Sequence, residues 1–136
     1  MDKEQVKAAL YERYIAPTEK NKEDYIGIEI EMPVVNLSGE ATDFAVTKAV
    51  TEGFCKARGF EPVGIDSEGS CYSYTDPVTG DNLSFDCSYN NMEFSFGKER
   101  SLKVIWERFS DYITELNAEL TSHGHILTGM GINPGH

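Results

Sequence analysis

Four acidic residues stand where acids are normally excluded. Glu29 and Glu31 alternate along an apolar stretch, and Asp86 and Glu93 lie seven residues apart around Asn90-Asn91. Carboxylates are depleted in strand interiors because burying charge is costly unless something compensates it. A divalent cation is one such compensation. Hard carboxylate oxygens suit Mg2+ or Mn2+, which keep several waters and bind phosphate oxygens beside one or two carboxylates each. Clustered without a cation, the four would repel one another.

The elements that must position these groups are legible in the chain. Asp2 is placed to cap a first helix carrying Val6, Leu10 and Tyr14, which Pro17 should end. Tyr25 to Val35 reads as a strand. Ile26, Ile28, Ile30 and Met32 share one face, and Gly27, Glu29, Glu31 and Pro33 the other. Ser38-Gly39 turns the chain into a helix from Thr42, with Phe44, Val46, Val50, Phe54 and Ala57, closed by Gly59. Phe60 to Ile65 is a short strand weakened by Pro62 and Gly64; Ser70 to Thr75 alternates as another, followed by a turn over Asp76 to Gly80.

Leu83 to Tyr89 and Met92 to Phe96 then read as a hairpin with a two-residue turn at Asn90-Asn91. That register pairs Ser88 with Glu93 and Asp86 with Ser95. It places Asp86, Ser88, Glu93 and Ser95 on one face. Phe85, Cys87, Tyr89, Met92, Phe94 and Phe96 take the other. Ser101 should cap a long helix whose stripe runs Leu102, Ile105, Trp106, Phe109, Ile113, Leu116, Leu120, read as core. Gly124 ends it. Ile126 to Met130 is a last strand, and residues 131–136 form a loop. The sum is an α+β fold in one domain, residues 1–136, with an antiparallel sheet whose apolar face lies under two long helices. The acids lie on the other face. A plain solvent-facing sheet surface produces the same alternation, so pattern alone leaves both readings open.

Composition narrows the partners. The chain has 136 residues and net charge −11, which argues against nucleic acid or an anionic membrane. The four acids are a minority of the 23, so the charge is mostly a solvated surface and does not itself indicate metal. Cys55, Cys71 and Cys87 include no CxxC pair and read as free thiols of a reducing cytoplasm. His123-Gly124-His125 lies at a helix end, where histidine is favoured by the helix dipole, and no P-loop or dinucleotide fingerprint is present.

The motifs in order carry a resemblance. Gly27-Ile28-Glu29-Ile30-Glu31 resembles the first motif of glutamate–cysteine ligases. Asp86-Cys87-Ser88-Tyr89-Asn90-Asn91-Met92-Glu93-Phe94-Ser95 is similar to their second. A long amphipathic helix and a Gly131-Ile132-Asn133-Pro134 loop follow, as in that family. The resemblance implies a glutamine-synthetase-like fold and an ATP-dependent carboxylate–amine ligase. Glutamate and an amine such as cysteine would be its substrates, and ATP its co-substrate. Glu29, Glu31, Asp86 and Glu93 would be magnesium ligands, with Ser88 and Asn91 near substrate. Family members are several times longer, and the chain departs from them at Cys87 or Tyr89, where some carry a further acid. The expectation is therefore an N-terminal portion, inactive alone, with a sheet edge open to a second copy or a complementing chain. The alternatives are a non-catalytic metal-binding or assembly module on the same fold, and an unrelated two-metal hydrolase.

Overall fold

The computed structural model describes residues 2–20 and 23–134. Met1, Gly135 and His136, which belong to the expected terminal segments, lie outside them. Six strands form one antiparallel sheet: β1 (Glu29–Asn36), β2 (Glu61–Ile65), β3 (Cys71–Thr75), β4 (Asn82–Phe85), β5 (Asn91–Ser95) and β6 (His125–Leu127). Their order across the sheet is β2-β3-β4-β5-β1-β6. The helices are α1 (Lys3–Leu10), α2 (Ala16–Lys20), α3 (Phe44–Arg58) and α4 (Leu102–Ser122). The fold is thus α+β. No described helix is long and apolar enough to cross a membrane.

Register sorts the side chains. Ile30, Phe94, Leu83 and Tyr74 form one cross-strand row, and Met32, Met92 and Phe85 the next. These rows join Val50, Phe54 and Cys55 of α3 and Ile105, Tyr112, Leu116 and Leu120 of α4 in one core. Arg58 ties the two helices together, donating to Glu115 at 2.6 Å and to Asp111 at 3.1 Å. A buried carboxylate fastens the β3–β4 turn to the layer below. Asp81, 1% exposed, accepts from Tyr112 Oη at 2.9 Å and from the Gly97 N–H at 2.8 Å, and pairs with Arg108 at 3.2 Å.

Several expectations need correction. Pro17 does not end the first helix. A π-helical turn over Tyr11–Ile15, with the Ala16 N–H donating to the Tyr11 carbonyl, widens the backbone just before the ring, and the helix continues to Lys20. Val6, Leu10 and Tyr14 remain exposed. The α3 core face is Thr47, Val50, Thr51, Phe54 and Cys55, while Phe44 and Ala57 are exposed. Asp43, not Thr42, caps that helix, accepting from the Ala45 N–H at 2.8 Å. Ser101 occupies the α4 N-cap without a side-chain hydrogen bond. Trp106 is not core. It is 64% exposed and Leu102 60%, because the first turns of α4 border an open apolar groove against Ile28 and Ile30. The last strand is His125–Leu127 rather than reaching Met130.

The hairpin correction bears on the site. Asn90-Asn91 is not a two-residue turn. Phe85 pairs with Met92 and Ser84 with Glu93, leaving a five-residue loop over Asp86–Asn90. The expected register slips by four residues. Because the side-chain period is two, an even slip leaves the β5 faces unchanged.

Candidate metal centre

Antiparallel pairing of β1 with β5 sets Glu31 directly opposite Glu93, and Glu29 opposite Ser95. Continued through β4 and β3, the same register builds two polar rows. One runs Glu31, Glu93, Ser84, Ser73, and the other Glu29, Ser95, Asn82, Thr75. Neither row contains a lysine or arginine. Like charges directly opposite across a strand pair destabilise it, so Glu31 and Glu93 form an electrostatically unfavourable pair unless a cation joins them.

A third acid reaches the same place by another route. Asp86 stands at the start of the loop, its N–H donating to the Asn91 carbonyl at 3.0 Å. The Ser88 N–H returns to the Asp86 carbonyl at 2.6 Å, and the Asn91 N–H to the Ser88 carbonyl at 3.1 Å. These tight turns force Cys87 into the left-handed region at φ 61°. The result is a trio: one carboxylate oxygen from each of Glu31, Asp86 and Glu93 lies within 4.8 Å of the others. At such spacing each pair repels by on the order of 1 kcal/mol even at the dielectric of water. No lysine or arginine forms an ion pair with any of the three among the described residues.

Neighbouring groups orient the carboxylates. Ser95 Oγ donates to Glu93 Oε1 at 2.8 Å, and Asn91 Nδ2 to Glu31 Oε2 at 3.1 Å. Interaction with the Asp86 carboxylate, together with the charge of Glu31, pushes the Cys87 thiol pKa up. Such outer partners fix the ligand oxygens of metal sites. An octahedral ion at about 2.1 Å holds ligand oxygens roughly 3 to 4 Å apart, so small side-chain rotations would close the trio onto one ion.

Of the residues expected at the site, Glu31, Asp86 and Glu93 converge, and Glu29 stands outside the trio, one row along the same face. Asn91 holds Glu31. Ser88 bonds to Asn90 Oδ1 within the loop, beside Asp86. Cys87, expected under the helices, is exposed instead and touches Asp86, since the loop carries it off the strand. No sequence signal marked that role, because a left-handed cysteine has no compositional signature. Comparison with protein-family models, with curated proteins and with solved structures finds no match to this chain.

Proposed function

We propose that this chain supplies the metal-holding sheet of an ATP- and magnesium-dependent carboxylate–amine ligase of the glutamate–cysteine ligase type. In that reading the six-stranded sheet belongs to a glutamine-synthetase-like fold working in the cytoplasm. The observation that carries it is the convergence of Glu31, Asp86 and Glu93 from two separate motifs onto one oxygen-rich point. In the reaction, the γ-carboxylate of glutamate attacks the γ-phosphorus of ATP, giving an acyl phosphate and ADP. The amine of cysteine, or of a similar acceptor, then attacks the acyl carbon and phosphate departs. Bound Mg2+, or Mn2+, would neutralise phosphate charge during transfer. Glu31, Asp86 and Glu93 would hold it, with Glu29 available to a neighbouring ion. Asn91 and Ser95 keep two of the carboxylates aimed, and Ser88 lies on the loop that would border substrate.

A second reading rests on a specific observation. The two polar rows carry no cation to grip ATP phosphates. A non-catalytic metal-binding or assembly module of the same ancestry fits that composition, whereas a ligase needs those cations from elsewhere, such as a second copy or a complementing chain.

The test is phosphate release from ATP by the purified chain with Mg2+, glutamate and cysteine. Release that requires both amino acids supports the ligase. Saturable Mg2+ binding by calorimetry without turnover fits the module, or a ligase sheet that acts only with a complementing chain. Absence of Mg2+ binding overturns both.

A further inference from the structure

A second cavity lies on the helix side of the sheet, away from the acidic trio. It has a volume of about 420 Å3 and opens between α3 and the β2–β3 hairpin. Its apolar walls are Phe60, Pro62, Ile65 and Tyr74; Ile65 is 61% exposed, an apolar side chain left facing the cavity. Lys48, Glu52 and Lys56 line it from α3. Glu52 is neutralised by Lys56, whose Nζ lies 2.5 Å from its carboxylate.

Lys48 differs. It forms no ion pair among the described residues. Its Nζ donates to Ser70 Oγ at 3.1 Å and rests 4.3 Å from the centroid of the Tyr89 ring. An ammonium carries three donors; with one on Ser70 and one turned to the Tyr89 ring, one remains. The nearby carboxylate of Asp66 is already engaged, accepting from Tyr89 Oη at 2.6 Å and from the backbone N–H groups of Glu68 and Ser70. Among the residues lining the cavity, Lys48 and Lys56 outnumber the one acid, Glu52, and the Asp66 carboxylate beside the rim lies near enough for the Lys48 charge to help lower its pKa.

We propose that this cavity binds a small monoanion with an apolar body, a carboxylate on an aromatic or branched aliphatic group. The carboxylate sits on Lys48, and the apolar portion covers Ile65 and Pro62 between Phe60 and Tyr74. A largely apolar concavity with one convergent polar anchor is the usual form of a small-molecule site. A single lysine, being a compact point charge, matches a monoanion better than a phosphate, which favours several donors or an arginine fork. Neither the acidic trio nor any metal takes part.

The experiment is an amide NMR titration of the full chain in EDTA, with phenylacetate and its neutral isostere phenylacetamide. Phenylacetate is expected to shift Gly69, Ser70 and Cys71 and to bind about tenfold more tightly than the amide, as one charge-assisted hydrogen bond implies. Lys48→Met should abolish that preference, Lys48→Arg should restore most of it, and Ile65→Ser should weaken both ligands. Equal binding of acid and amide overturns the proposal. So do an unchanged preference in Lys48→Met with a native-like spectrum, and no shifts at Gly69 to Cys71. Should Lys48→Met not fold, the acid–amide comparison and the Ile65→Ser variant decide it.

Discussion

Glu31 and Glu93 are the residues whose placement is hardest to explain without a ligand. They face each other across paired strands, Asp86 adds a third negative charge, and no lysine or arginine answers them among the described residues. On the proposed reading, such an arrangement would trade stability of the empty protein for affinity toward a cation. Glu31→Gln and Glu93→Gln should each weaken Mg2+ binding by about tenfold or more, since affinity follows ligand charge. Each should also leave the metal-free fold unchanged or more stable, by roughly 0.2–1 kcal/mol, because a like-charged cross-strand pair is removed. Calorimetry for Mg2+ and urea unfolding in EDTA check the two halves. Unchanged Mg2+ affinity in both variants would falsify the site.

At the scale of elements, the β3–β4 turn and the strand exit after β5 interlock. Gly97 passes so close to the turn that a Cβ there would stand 2.0 Å from the Thr79 carbonyl oxygen and 3.0 Å from the Gly80 carbonyl carbon. Both are backbone atoms and cannot rotate away. The Gly97 N–H is also spent on buried Asp81. Gly97→Ala should therefore destabilise the fold by about 1–3 kcal/mol or more through overpacking. Thermal unfolding measures this, and a melting temperature equal to that of the parent chain contradicts the packing. The effect should be structural and separable from Mg2+ affinity, because the acidic trio is held by β1, β5 and the Asp86–Asn90 loop instead.

For the whole molecule, the core holds several groups that must stay neutral. Burial, helped by the nearby Cys71, pushes the Cys55 thiol from the ordinary 9.0 up to about 12. Burial and the Asp66 carboxylate raise Tyr89 from 10.0 to about 12. Tyr74 and Tyr112 move in the same direction, chiefly through burial. A group whose pKa is higher folded than unfolded contributes its full stability below the unfolded value and loses it as pH rises through the folded one. The protein should thus hold its melting temperature up to about pH 9 and lose it steeply between pH 9 and 12. Cys55→Ala should be less stable at pH 7, from the cavity it leaves, yet flatter over the alkaline limb. A parallel alkaline limb in that variant would show that Cys55 does not contribute.

Local pattern determined a good part of this. The two-residue alternation from Ile26 to Met32 and from Met92 to Phe96 set which side chains face the core, and it survived a four-residue slip in the hairpin because the slip was even. Gly59 and Gly124 closed helices with left-handed backbone, as their positions required. Tertiary structure decided what pattern could not express. Pairing β1 with β5, far apart in the chain, is what sets Glu31 against Glu93 while leaving Glu29 one row away. The loop conformation at Cys87 is what swings Asp86 towards them. Likewise the apolar period of α4 was real, but only the position of the helix over the sheet determined that Leu116 is buried and Trp106 exposed. Periodicity reports which residues share a face; the long-range pairing that creates a site depends on which strands meet, and no local interaction encodes that.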